Sequence, residues 1–355
     1  MSVRCIQACA AAMLLQVTVL TATLADGFAG LGEEARGFAE VVPGRPISLP
    51  RDFGTHDDFR IEWWYLTANL HDSTGASFGV QWTLFRNGLV AGPARDGFAT
   101  PHVWMGHAAV TSRTAHLFTE NLARGGIGQA GVDAEPFRAW IDDWTFAADA
   151  ARPARATLRA SGARFGYTLE LASEGPIVLH GDQGFSRKSS SGQASYYFSQ
   201  PFYSVHGTLT LAGRDIAVSG QAWMDREWSS QPLSASQKGW DWFSLHLASG
   251  EKVMLFRLRS KSGGDYLSGT WVAADGTAAP LDQNDVALTP LVSTVITDRK
   301  VPTRWSVHIK SRGLEIEAAP LNPNSWMGTS IPYWEGPIIV SGSHRGEGYL
   351  EMTGY

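Results

Sequence analysis

The chain has 355 residues, 44% of them hydrophobic, with 38 glycines, 17 prolines and a formal net charge of -5. That is enough apolar material for a large core, and the glycine and proline content favours short strands and turns over helices. With no long basic run and no interleaving of arginine with aromatics, nucleic acid is excluded as a partner.

Residues 1–25 read as a signal peptide. Arg4 supplies the positive start, Ile6 to Leu20 the apolar run, and Thr23-Leu24-Ala25 the small residues at a cleavage site. The run is shorter than the roughly 20 residues that span a bilayer. The expectation is therefore export, to the periplasm or out of the cell. Cys5 and Cys9, the only two cysteines, fall inside this segment, so the mature chain relies on packing and not on disulfides. Residues 26–44 read as an extended lead-in strapped onto the fold.

From about Asp58 the pattern is that of an antiparallel β protein. Tyr167 to Leu171 alternates apolar and polar side chains, as do Trp305, Val307 and Ile309 with their neighbours. Thr208–Leu211 and Ile216–Val218 flank a glycine turn at Gly213, which predicts a hairpin. The Ala-rich stretch 147–160, with Arg152, Arg155 and Arg159, reads as the one short helix, interrupted at Pro153. A weak repeat runs through the chain. Trp63–Leu70 and Trp240–Leu247 each open on clustered aromatics, pass a glycine turn, and lead to Leu84-Phe85-Arg86 and Leu255-Phe256-Arg257. It divides the chain into domains of 45–230 and 231–355, each a barrel or half-barrel, since closure removes exposed strand edges.

Tryptophans stand beside acids in four places: Glu62-Trp63-Trp64-Tyr65, Trp223-Met224-Asp225-Arg226-Glu227-Trp228, Trp240-Asp241-Trp242 and Tyr333-Trp334-Glu335. A carboxyl buried among indole rings resists ionisation, and aromatic faces stabilise an adjacent cation. In an extended segment Trp223, Asp225 and Glu227 share one face, while Met224, Arg226 and Trp228 share the other. Asp225 is thus the candidate general acid, with Glu227 tuning it or handling water. The competing reading gives either carboxylate to an arginine in a structural ion pair. Glu62 and Trp64 point one way, Trp63 and Tyr65 the other, so this strand is expected to be buried on both sides. Glu62 then needs a charged partner. Neither α/β-hydrolase nor nucleotide chemistry is expected, and the ten histidines are spread singly, which disfavours a metal site. No cofactor is called for.

Together, Pro50-Arg51-Asp52-Phe53-Gly54-Thr55-His56, Glu62-Trp63-Trp64-Tyr65, Gly79 to Arg86, Ala194-Ser195-Tyr196-Tyr197, Trp223 to Gln231 and the terminal Gly348 to Tyr355 resemble the AttH-like family, related to carotenoid 1,2-hydratases. The likeness spans nearly the whole mature chain. It implies an all-β fold of two lipocalin-like antiparallel barrels packed side by side. In those hydratases an aspartate is thought to protonate an isoprenoid double bond so that water captures the cation, and that aspartate falls on Asp225. The hydratase His and Trp upstream fall on Tyr196 and Phe198, and a hydratase Tyr falls on Trp223, so the acid is kept in different surroundings. The expected ligand is a hydrophobic small molecule of isoprenoid or lipid kind, touched by Trp223, Tyr196, Phe198, Glu62, Trp64, Tyr65, Trp240 and Trp242. The alternatives are a non-catalytic carrier of such a molecule in the cell envelope, and an interaction module for an envelope transport system.

Overall fold

The computed structural model describes residues 35–92 and 95–355; the expected signal peptide and the start of the lead-in lie outside them. Among the described residues there are β-strands and short 3-10 turns but no α-helix.

The first sheet opens with the meander β1 (Ile61–Asp72), β2 (Ser77–Gly88), β3 (His102–Ser112) and β4 (His116–Arg124). A second meander follows: β5 (Ala130–Ala134), β6 (Phe137–Ile141), β7 (Trp144–Asp149), β8 (Arg152–Gly162) and β9 (Phe165–Ser173). The short β10 (Val178–Leu179) and β11 (Phe185–Arg187) precede the long hairpin of β12 (Ala194–Leu211) and β13 (Arg214–Ser229). The hairpin joins the two meanders in the order β4-β3-β2-β1-β13-β12-β9-β8-β7-β6-β5. The sheet curls until its two meanders touch. At Gly106 in β3 a Cβ would stand 2.7 Å from Ile141 of β6, so only glycine permits that closeness. Trp64, Leu66, Ala68 and Leu70 of β1 fill the inside, with Trp82, Leu84, Trp144 and Leu158 from the strands around them.

The second sheet comprises β14 (Gln237–Leu247), β15 (Lys252–Ser260), β16 (Tyr266–Val272), β17 (Ala278–Leu281), β18 (Val286–Ile296), β19 (Arg299–Ile309), β20 (Leu314–Pro320), β21 (Trp326–Met327), β22 (Tyr333–Gly342) and β23 (Gly346–Thr353). Its order, β17-β16-β15-β14-β23-β22-β20-β19-β18, follows the same plan: the first strand pairs with the last, as β1 pairs with β13. The two halves of the sequence repeat occupy β1–β2 and β14–β15. The fold is thus all-β, two barrel-like antiparallel sheets of lipocalin type.

The stretch 147–160 is not helical; it forms the β7–β8 hairpin. Ala156, Leu158 and Ala160 are buried while Arg155 and Arg159 are exposed, a period of two. Pairing along β9 decides the matter over the helix preference of Ala and Arg.

The sheets pack back to back through the face of β1 that carries Trp63, Tyr65 and Asn69. Asn69 Nδ2 donates to the Gly348 carbonyl at 2.9 Å, and His71 meets Glu347 at 2.8 Å. Gly79 of β2 lies so close to β22 and β23 that a Cβ would be 2.5 Å from both Pro337 Cγ and Tyr349 Oη. At the other end of this contact the sheets diverge and leave a cavity.

A candidate active site between the two sheets

Strand register builds the walls of this cavity. Ser199, Asp225, Tyr65, Thr83, His107 and Glu120 stand directly opposite one another across β12, β13, β1, β2, β3 and β4, in one row. Facing them, Phe256, Trp242, Glu351 and Glu335 form a row across β15, β14, β23 and β22. The space between is about 120 Å³, and its apolar lining includes Trp63, Phe85, Met105, Leu233, Trp240 and Phe256. That approaches the roughly 150 Å³ that holds a benzene ring. It suits a ring or the branched end of an isoprenoid chain.

Asp225 lines this cavity and is 3% exposed. Tyr197 Oη donates to its Oδ2 at 2.8 Å, Trp223 Nε1 donates to its Oδ1 at 2.6 Å, and the Ser199 hydroxyl also donates to Oδ1. Burial raises the carboxyl pKa to about 7, more than these three donors lower it. Oδ1 accepts two bonds and Oδ2 one, so Oδ2 is the oxygen with room for the proton. Behind Ser199 stands His180, its Nε2 2.6 Å from the Ser199 hydroxyl and its Nδ1 2.8 Å from Thr270 of the second sheet. Burial pushes the His180 pKa down to about 3, so the ring is neutral. Ser199 donates to Asp225, so it accepts from Nε2–H, and Nδ1 accepts from Thr270. The bonds all run toward the carboxyl and hold it in place.

Glu227, two residues on, also lines the cavity. It is paired with Lys188 at 2.7 Å and accepts a hydrogen bond from the Ser195 hydroxyl. An ion pair therefore describes Glu227, with a lysine in place of the expected arginine, whereas no arginine or lysine is paired with Asp225 among the described residues. Across the cavity, burial raises the Glu351 pKa to about 7. Its Oε1 accepts from the Trp240 indole. Glu335 is its direct cross-strand neighbour, and burial together with the Glu351 charge pushes its pKa well up. Tyr65 Oη donates to Glu335 at 2.6 Å.

Of the residues singled out from the sequence, Asp225, Glu227, Tyr65, Trp240 and Trp242 line the cavity together. Trp223 stands behind Asp225. Tyr196, Phe198, Glu62 and Trp64 do not reach the cavity, and the expectation that they face a ligand there is corrected. In the register, Tyr196 opposes Trp228 and Phe198 opposes Arg226, on the side of β13 turned away from Asp225. They pack against Trp228, and Tyr196 Oη donates to the Val42 carbonyl of the lead-in at 2.9 Å. Glu62 is fully buried between Arg86 and Arg226, with His56 Nδ1 at 3.2 Å, while Trp64 Nε1 donates to Phe53 O at 2.7 Å. The need of Glu62 for a charged partner is met here.

Tyr197, Ser199, His180, Lys188, Glu351, Tyr333 and His107 were not singled out as site residues. Tyr197 and Ser199 lie one position from Tyr196 and Phe198, and only the register of β12 against β13 puts them on the side of Asp225. Two motif-like spacings also occur. Gly75-Ala76-Ser77-Phe78-Gly79 matches a nucleophile elbow and Gly126-Ile127-Gly128-Gln129-Ala130-Gly131 a dinucleotide turn. Each runs from a turn into a strand, β2 and β5, with no helix following, and neither can act as that motif does. Among the described residues no group of three or more His, Cys, Asp and Glu side chains could hold a metal ion.

Two barrel-like sheets closing on an aromatic cavity, with a buried carboxyl in its wall, define a lipocalin-like protein of doubled plan. The chain belongs to the AttH-like family, whose model matches residues 40–355. It is similar to the crystal structure of an AttH protein from Nitrosomonas europaea, at 32% identity and TM-score 0.79, over 90% of this chain and 100% of that one. Kievitone hydratase from Nectria haematococca shares the fold at 14% identity and TM-score 0.67, over 89% and 96%. CghA, solved with Sch210972, does so at 13% identity and TM-score 0.52, over 90% and 97%. No curated protein sequence matches the chain.

Proposed function

We propose that this protein binds an elongated apolar molecule of isoprenoid or polyene type between its sheets, and that Asp225 protonates a double bond in it. The carrying observation is a carboxyl that burial keeps protonated up to about pH 7, facing an apolar cavity with no cation paired to it. A general acid is most useful when its pKa lies near the working pH. The Asp225 proton adds to one alkene carbon, and the neighbouring carbon becomes cationic beside the rings of Trp63, Trp240 and Trp242. Capture by water gives hydration, and loss of a different proton gives isomerisation. The hydratase among the fold neighbours is consistent with this class of reaction. An exported protein, as the first 25 residues suggest, would meet such molecules in the cell envelope.

The test is deuterium incorporation. Squalene, β-farnesene and lycopene are each incubated with the protein in heavy water, and binding is followed by quenching of tryptophan fluorescence. The expected result is a new carbon–deuterium bond in at least one probe with the wild type and none with Asp225→Asn, which still binds. Tight binding with every probe recovered free of deuterium would overturn the acid and leave a carrier.

A further inference from the structure

Hydration needs a group that removes the proton of the captured water, and three strands along the row from Asp225 begins a chain of hydrogen bonds suited to that. Tyr333 of β22 and His107 of β3 both line the cavity. Tyr333 Oη lies 2.8 Å from His107 Nδ1, and His107 Nε2 lies 3.0 Å from Glu120 Oε1. Glu120 is in turn fixed by the Ser330 hydroxyl at 2.6 Å, and it is the partly exposed end of the chain.

The direction of these bonds follows from the charge states. The hydrogen bond from His107 holds the Glu120 carboxyl below its usual range, so it is an acceptor. Burial lowers the His107 pKa, so the ring is neutral and carries one proton. That proton is on Nε2, toward Glu120. Nδ1 is therefore bare and accepts from the Tyr333 hydroxyl. A hydroxyl, an imidazole and an orienting carboxylate stand in the order familiar from hydrolytic triads, assembled here from both sheets, with the hydroxyl passing a proton instead of attacking.

We propose that Tyr333, His107 and Glu120 form the proton-accepting arm of the hydration, at the other end of the row from the Asp225 acid. This rests on the acid reading of Asp225 given above. The Asp225 O–H bond breaks as the alkene π pair forms a C–H bond. A water lone pair then forms the C–O bond to the cationic carbon. The resulting oxonium loses its proton to Tyr333 Oη, while the Tyr333 proton passes to His107 Nδ1 and the imidazolium is held by Glu120. An alkyl oxonium is acidic enough to protonate even a histidine of depressed pKa. After product release His107 sheds its proton to solvent past Glu120, and Asp225 takes one from water entering the cavity. The sum is alkene plus water to alcohol.

The experiment compares products from squalene, β-farnesene and lycopene by mass and retention time. Wild type gives alcohol; Asp225→Asn returns the probe unchanged. Tyr333→Phe and His107→Asn form the cation but capture it poorly, so rearranged alkene accumulates. The alcohol-to-isomer ratio falls by roughly a hundredfold, the low end for a positioned proton acceptor. Glu120→Gln, which preserves shape and keeps the test alive if His107→Asn does not fold, moves the ratio the same way. An unchanged ratio in both Tyr333→Phe and Glu120→Gln, with the wild type making alcohol, overturns this arm and leaves the acid standing. No conversion of any probe by the wild type removes the acid reading, and this inference with it.

Discussion

Asp225 is unusual because its environment opposes its charge without supplying a cation. Its carboxyl keeps a proton up to about pH 7 in the folded protein, against 3.8 as the ordinary value of the unfolded chain. Between those limits the folded state binds more protons than the unfolded one, so stability falls as the pH rises through this window. Asp225→Asn cannot ionise and escapes that loss. Its stability relative to wild type should rise between about pH 4 and pH 8 by at most about 4 kcal/mol, at about 1.4 kcal/mol per unit. Denaturant melts of both proteins at the two ends of the window measure this; a constant difference would mean the carboxyl titrates normally. Glu62 makes the contrast. It is equally buried, but Arg86 and Arg226 hold its pKa well below the ordinary range. Glu62→Gln strands two buried guanidinium groups and should cost about 3–5 kcal/mol, read as a drop in the denaturation midpoint. These two carboxyls show how far single residues were legible. Both stood out beside tryptophan, and the face shared by Trp223, Asp225 and Glu227 was readable from alternation. The cations of Glu62 were not, because Arg86 and Arg226 come from other strands at positions only the register reveals, and neither was the lack of one beside Asp225.

Strands explain why the residues opposite Asp225 were missed. In an antiparallel sheet a one-residue slip sends every side chain to the other face. Placing Tyr196 and Phe198 with Asp225 was such a slip, since Tyr197 and Ser199 are the residues that share its side. The alternation within each strand was plain in the sequence. The pairing between strands far apart in the chain was not, and the row from Asp225 to Glu120 spans five strands. The approach of the two sheets is likewise set by particular elements. Gly79 of β2 admits Pro337 and Tyr349 at distances that no Cβ tolerates. Gly79→Ala should push β22 and β23 away from β2 at a cost of about 1–3 kcal/mol, in the range of overpacked cores. Thermal melting checks the loss. Wild-type stability in this variant would show that the sheets have slack between them.

At the scale of the molecule, the sequence repeat corresponds to a shared plan in which the first strand of each sheet lies beside its last. Short aromatic-rich strands followed by Leu-Phe-Arg carried that signal. The way the sheets embrace the cavity carried none, because it depends on side chains crossing between them. Tyr65 reaches Glu335, His180 reaches Thr270 at 2.8 Å, Trp242 Nε1 reaches Tyr197 Oη at 3.2 Å, and Lys252 reaches Gln221 at 2.8 Å. All of these partners except Gln221 are buried, and separating the sheets would strip them of bonds that water replaces only after both faces open. The aromatic rings of the cavity wall would be exposed in the same step. The two sheets should therefore unfold together. Calorimetry at neutral pH is expected to show one transition whose calorimetric and van't Hoff enthalpies agree, as an all-or-none process requires. Two resolved transitions, or a van't Hoff enthalpy near half the calorimetric one, would mean that each sheet is stable by itself. The acid and its proton-accepting arm, which come from both, would then be held together by much less than this interface implies.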